Sequence, residues 1–308
     1  MERPLAQSVG ICEDEVKEAL AKFVDDHCCY GKGPLNEIII EDITMKSSFK
    51  YTLESFTERR KTAWNYQPYD GVFMNMPPSG VAPGPWDVAV SPPKMFEKCK
   101  QKIEVPNTSV IKYCHKCTGK GKLRCTMCNG DGGSRCTFCD GTGNRETGSC
   151  FHCSGTGFKR CLTCQGHGHV KCNTCKGFKM LRCFIELNVH WTNHVDQFVS
   201  DETGLSESLI QSASGAVVVD ERYPRVYPLL QFYDMRIQNA SKELVEKHAT
   251  SFPNERILEQ RQRVIMIPVA VVHYKHRESS GFFFVYGTEH KVCFDDYPAK
   301  CCCGCTIL

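Results

Sequence analysis

Several common signals are missing from this 308-residue chain, and each absence narrows the reading. No charge of one sign dominates: the formal net charge of +3 is too small to point to a polyanionic partner by itself. Long apolar runs are missing too. The longest, Val264 to Val272, is nine residues and holds Pro268, far short of the roughly 20 a membrane-spanning helix needs. The first ten residues carry no apolar segment of the kind that directs secretion, and Glu13-Asp14-Glu15 follows soon after. There is no phosphate-cradling glycine loop, no nucleophile–base pattern and no carboxylate pair at a useful spacing. The expectation is a protein of the cytoplasm, extending to the nucleus, that is not an enzyme and takes no small-molecule substrate.

What the chain has is cysteine, 22 of them. In a reducing compartment thiols stay reduced, so this number points to metal rather than disulfides. Six CxxC pairs occur: Cys114/Cys117, Cys125/Cys128, Cys136/Cys139, Cys150/Cys153, Cys161/Cys164 and Cys172/Cys175. Their starts are separated by 11, 11, 14, 11 and 11 residues, and the first five continue as CxxCxGxG. The sixth keeps only Gly177, with Lys179 where the second glycine would be. Two residues between cysteines let both thiolates reach one metal, and the glycines let the chain turn through positive φ. Zinc takes four tetrahedral ligands, so these twelve cysteines make three closed four-cysteine sites with no position left for water. Such sites are structural. Residues 111–182 hold 13 glycines and only 12 large apolar residues, too little core to offset chain entropy without metal.

The spacing series is a palindrome. Nesting fits it, with 136/139 joining 150/153, then 125/128 joining 161/164, then 114/117 joining 172/175. Neighbour pairing is equally symmetric, so spacing leaves both open. Nesting is favoured because it would bring the strand before Cys114 beside the one after Cys183. His115, His152, His167 and His169 are surplus to the ligand count and are expected at the surface. Cys183 lacks a CxxC partner and is expected on a strand as a buried thiol.

The flanks read as follows. Val16, Ala19, Leu20, Phe23 and Val24 make an amphipathic helical stripe. A strand-like stretch runs from Glu37 to Phe56, and a strand over Lys102 to Tyr113 is broken near Pro106-Asn107. Cys183 to Trp191 alternate with period two. Short helices are expected near 205–213 and 240–250, and strands at 263–274, 281–287 and 290–294, the first at an edge or bulge because of Pro268. The resulting division is 1–70 (N-terminal helix and strands), 71–110 (Pro/Gly-rich linker and lead-in strand), 111–182 (cysteine module), 183–298 (C-terminal α+β region) and 299–308 (cysteine-rich tail). The fold class expected is α+β: a mixed sheet-and-helix domain formed by the flanks, with an inserted, elongated, zinc-stabilised hairpin module.

The CxxCxGxG repeats resemble the cysteine-rich domain of DnaJ-type (Hsp40) co-chaperones, in which four repeats bind two zincs, outer with outer and inner with inner. No His-Pro-Asp tripeptide is present, so the J domain and stimulation of Hsp70 are not implied. The whole layout resembles the SSUH family (Ssu-two homologs): a proline-rich stretch, six cysteine pairs, an α+β segment with Tyr-rich strands, and a final Tyr-Pro. That family carries developmental role labels rather than a reaction. The expected function is a chaperone-like or adaptor protein that contacts protein clients. Two alternatives stand beside it. One is a nucleic-acid or chromatin-associated zinc protein, suggested by 13 basic against 3 acidic residues in 111–182 and by Phe138, Phe151 and Phe158 as stacking surfaces. The other is a thiol-disulfide oxidoreductase using the CxxC pairs. Finally, Cys305-Thr306-Ile307-Leu308 matches C-a-a-X, with Cys305 the prenylated thiol and Cys301, Cys302 and Cys303 placed for palmitoylation. This predicts a peripheral membrane pool.

Overall fold

The computed structural model describes residues 10–71, 80–146 and 148–300. These form two compact units. One comprises residues up to 59 together with 92–99 and those from 191 on; the other comprises 60–91 and 100–190. Strands outweigh helices throughout, so α+β describes the chain only loosely. No helix of the described residues is long and apolar enough to cross a membrane.

The first unit is built on an antiparallel sheet. Helix α1 (Glu13–Asp25) opens it, its first turn acidic as the helix dipole favours. The Cys12 N–H donates to Glu15 at 2.8 Å, satisfying one of the amides a helix start leaves open. A short helix, α2 (Gly33–Glu37), leads into β1 (Ile39–Tyr69), which runs well past the Phe56 limit read from the sequence. Its long partner is β12 (Arg256–His276), paired from Ile39↔Lys275 to Glu58↔Arg256. Even-numbered residues of β12 (Val264, Met266, Ala270, Val272) pack with α1 or with α4 (Met235–Thr250) and its lead-in. Odd-numbered Ile267 and Val269 pack instead with α3 (Glu207–Ser212).

Pro268 sits neither at an edge nor at a bulge. On one side β12 pairs with β1 throughout, with Pro268 opposite Ser47. On the other side β11 (Ala216–Tyr223) covers residues 260–266, and β13 (Ser279–Tyr286) takes over from Val269. The Pro268 carbonyl accepts from Gly287 N–H at 2.9 Å. A strand residue's N–H and C=O point the same way, so the missing N–H faces the handover between β11 and β13, where no ladder bond is lost. Strand β14 (Lys291–Cys293) closes that side on β13.

A buried polar chain ties α4 to this sheet. Gln260 Nε2 donates to Ser55 Oγ at 2.8 Å. The Ser55 hydroxyl is therefore left to donate to His248 Nδ1 at 2.7 Å, and His248 Nε2–H to Asp196 at 3.0 Å. The order is that of a nucleophilic triad, but Ser55 is fully buried and its role here is cohesive. Burial pushes the His248 pKa down, against the pull of Asp196. The unfolded chain, with an ordinary histidine near 6.5, therefore takes up this proton first as pH falls. The contribution is complete above that value and declines below it. Amide exchange, corrected for its intrinsic pH dependence, should show α4 losing protection between pH 7 and 5; His248→Gln should flatten that pH response.

In the second unit the sequence break near Pro106 is real. Strand β2 (Cys99–Glu104) ends there, Asn107 adopts φ 61°, and β3 (Val110–Tyr113) begins. Thr108 Oγ1 clips the break by donating to Val105 O at 2.7 Å and accepting from Ile185 N–H at 3.1 Å. Strand β10 (Met180–Ser200) pairs with β3 in the register Met180↔Tyr113 to Cys183↔Val110. Cys183 is on this strand as expected, but half-buried. Between β3 and β10 the chain runs out and back as two arms. They are joined by three small antiparallel pairs: β4 (Lys122–Arg124) with β9 (His169–Lys171), β5 (Gly133–Arg135) with β8 (Phe158–Arg160), and β6 (Asn144–Arg145) with β7 (Gly148–Ser149).

Candidate metal centres

The two arms bring all twelve CxxC cysteines together in fours. The groups are Cys114, Cys117, Cys172 and Cys175; Cys125, Cys128, Cys161 and Cys164; and Cys136, Cys139, Cys150 and Cys153. The arrangement is nested. Within each group the sulfurs lie within 4.8 Å of one another. Across the arms the Sγ–Sγ separations are 3.8 and 3.7 Å in the first group, 3.9 and 3.6 Å in the second, and 4.0 and 3.8 Å in the third. A tetrahedron with Zn–S arms of about 2.3 Å has edges of about 3.8 Å. The donor set therefore fits one tetrahedral thiophilic cation per group. Every one of these cysteines is buried except Cys161, which is half-buried.

Each half-site repeats one piece of backbone chemistry. The N–H of the first cysteine donates across to the carbonyl at the second-glycine position of the partner repeat: Cys125 to Gly168, Cys161 to Gly132, Cys136 to Gly157, Cys150 to Gly143, Cys172 to Gly121, and Cys114 to Lys179, all at 2.8–3.0 Å. The second glycine in turn aims its own N–H at sulfur, from Gly121 to Cys117, Gly143 to Cys139, Gly157 to Cys153 and Gly168 to Cys164, at 3.2–3.3 Å. Such bonds favour the thiolate. Four crowded thiols cannot all ionise unaided, however. Burial pushes Cys114 up to about 11, while the Cys175 N–H holds Cys172 down to about 6. The same split divides Cys164 from Cys161 and Cys150 from Cys139. A cation at the centre resolves it by stabilising all four charges at once.

The left-handed turn starts one residue earlier than the glycines suggested. Thr118, Asn129, Asp140, Ser154, Gln165 and Lys176, each directly after a second cysteine, have φ between 44° and 50°. Three of these turns are held by the arginine before the pair: Arg124, Arg135 and Arg160 donate Nε to the carbonyls of Asn129, Asp140 and Gln165. In the sequence these arginines count only toward a positive face. The sixth repeat is the irregular one. Lys179 occupies the second-glycine position at φ 72°, a conformation costing a side chain roughly 1–2 kcal/mol. Lys179→Gly should raise stability by up to about 1 kcal/mol after the extra unfolded-state entropy of glycine, read as a shift in the denaturation midpoint with metal content unchanged.

His115, His152, His167 and His169 are exposed and outside the clusters. Cys301, Cys302, Cys303 and Cys305, read as lipidation sites, lie outside the described residues.

No family model matches the chain, and no solved structure matches it. Curated relatives do. The "Protein SSUH2 homolog" of Danio rerio is 44% identical over 96% of this chain and 82% of its own length. The human protein of that name is 40% identical over 97% and 81%, and the Mus musculus one 41% over 81% and 75%. At these identities, over most of both partners, the chain belongs to the SSUH2 homolog family.

Proposed function

We propose that the three clusters hold structural zinc in a DnaJ-type module, and that the protein is a non-enzymatic chaperone-like adaptor that uses this module to contact other proteins. One observation carries the second part. In the two clusters away from β3 and β10, the residues inside each CxxC turn an apolar side chain to solvent: Met127 is 74% exposed, Phe138 44%, Phe151 77% and Leu162 90%. The knuckles of the remaining cluster carry His115-Lys116 and Asn173-Thr174 instead. Apolar side chains in solvent contribute nothing to folding, and grouped exposure of this kind marks contact surfaces. Zinc is the cation because closed tetrahedral thiolate sets are its usual structural site.

Nucleic acid draws less support, since three of the module's arginines are engaged by internal carbonyls and Phe138 is stacked on His152 at 3.5 Å. Thiol exchange draws less support because each sulfur lies in a group of four.

The test is suppression of aggregation of a denatured client by the zinc-loaded full chain. Replacing Met127, Phe138, Phe151 and Leu162 together by Ser should leave the metal count unchanged and reduce protection at least several-fold. Salt-dependent binding to generic DNA or RNA, or insulin reduction by the zinc-loaded protein, without client protection, would overturn the adaptor reading.

A further inference from the structure

The first unit holds a second, differently built group of thiols. Residues 27–30 form a turn closed by Tyr30 N–H donating to His27 O at 3.0 Å. The turn carries Cys28 and Cys29 at its corner, with their sulfurs 3.6 Å apart. That is the separation found across the arms of the three clusters, and it is close to a tetrahedral edge. Beside them His27 Nδ1 lies 2.6 Å from Phe23 O. A carbonyl only accepts, so Nδ1 carries the hydrogen, and the neutral ring presents its lone pair at Nε2. Metal-binding histidines are commonly fixed in this way. The ring is held by stacking on Tyr30, with centroids 4.7 Å apart.

The chain's own C-terminal segment is strapped to this turn. Gly31 N–H donates to Ala299 O at 3.0 Å, Tyr30 and Lys300 form an antiparallel bridge, and Tyr297 donates its hydroxyl to Gly31 O at 2.7 Å. The Tyr30 and Tyr297 rings stack at 5.2 Å. The residues that follow Lys300 are Cys301-Cys302-Cys303-Gly304-Cys305. The strap thus tethers four more thiols beside Cys28 and Cys29, at an effective concentration of order millimolar or above. His27, Cys28 and Cys29 do not by themselves gather into a ligand sphere, so donors from elsewhere are needed to close one.

We propose that Cys28 and Cys29, with His27 beside them, are half of a fourth metal site that cysteines following Lys300 complete, taking a thiophilic d10 cation such as Zn²⁺. Thiolate-rich donors with one imidazole suit that class of ion. A disulfide would need the sulfurs but would have no use for a histidine fixed in one tautomer. A thiol bound to metal is not a lipid acceptor, so the two fates exclude each other at a given cysteine.

The experiment is metal counting by native mass spectrometry on the reduced full chain loaded with Zn²⁺. Three proteins are compared: the unaltered chain, Cys28→Ser/Cys29→Ser, and a variant shortened after Lys300. The expected counts are four, three and three, with the fourth ion the first removed by a competing chelator. Equal counts in all three proteins would overturn the proposal, as would a disulfide between Cys28 or Cys29 and the tail under reducing conditions. Failure of the three-cluster reading is distinguishable, because it appears as fewer than three ions in the shortened variant.

Discussion

Stripping the metal from the full chain should unfold residues 111–182 and leave the sheet built on β1 and β12 folded. The module has almost no other source of order. Of its twelve large apolar residues only Leu181 is fully buried. The remaining cohesion is three short strand pairs of two or three residues each, well below what stands alone in water. A structural zinc site supplies about 10–16 kcal/mol of apparent binding energy at neutral pH, and three of them exceed any plausible stability of this segment without them. The first unit is different: Val264, Ile267, Val269 and Val272 are each 0% exposed, and its helices pack on both faces of β12. Hydrogen exchange read by mass spectrometry should show amides of 111–182 exchanging at the unprotected rate after chelation, while those of β12 keep their protection. Persistent protection of the arms after complete metal loss would sink the idea that thiolate–metal bonds hold them.

Nesting makes the same experiment sensitive to position. Cys136→Ser removes one ligand from the cluster at the turn between the arms, so it should cost one metal ion and free mainly the residues around β6 and β7. Cys125→Ser strikes the middle cluster. It should loosen the β4–β9 and β5–β8 pairs on either side, although it too deletes one sulfur. A graded pattern of exchange, set by how many pairs flank the lost cluster, is the signature of a ladder closed rung by rung.

The ligand set was legible because its chemistry is local: a CxxC pair is a half-site wherever it occurs. The pairing of half-sites was nearly legible, since the palindromic spacing admits two solutions and only the meeting of β3 with β10 separates them. The start of the left-handed turn escaped because six different positions solve it with Thr, Asn, Asp, Ser, Gln and Lys. Asn and Asp are known for that conformation, but Thr and Lys give no such signal. The regularity lies instead in the preceding arginine reaching forward, which is visible as Arg-Cys at 124, 135 and 160 once its use is known. In the flanks, β1 was cut short because residues 57–69 are mostly polar, and pairing across the sheet rather than alternation keeps them extended. Strand β11 was missed despite Val217-Val218-Val219, a β-branched run bounded by Gly215 and Pro224. Pro268 misled because one strand was assumed to have one partner on each side, whereas β12 changes partner at that residue.

Replacing a single second glycine by alanine should disrupt the arms more than any surface change of comparable size. The sequence accounts for these glycines by their positive φ alone, but a second constraint acts on them. A Cβ at Gly132, Gly143, Gly157 or Gly168 would run into the carbonyl oxygen of Gly166, Gly155, Gly141 or Gly130, the first glycine of the partner repeat, closer than the 3.0 Å that real Cβ atoms respect. At Gly121 the same contact is with Gly177 O, at 2.7 Å. The obstacle is backbone, which no side-chain rotation can relieve. That backbone leads directly from the partner's second cysteine, so moving it displaces a ligand. Strain at φ 72° and overpacking together should cost Gly168→Ala about 2–5 kcal/mol. Gly204 is the control. It has a comparable φ of 87° and nothing within 4 Å of its Cβ position, so Gly204→Ala should show the conformational cost alone, about 1–2 kcal/mol. Metal content separates the two effects further: Gly168→Ala should weaken retention at the Cys125, Cys128, Cys161 and Cys164 cluster against a competing chelator, and Gly204→Ala should not. Equal costs with equal metal retention would mean that the arms can part at this contact without disturbing their sulfurs, and the close approach of the two backbones would then have no part in building the clusters.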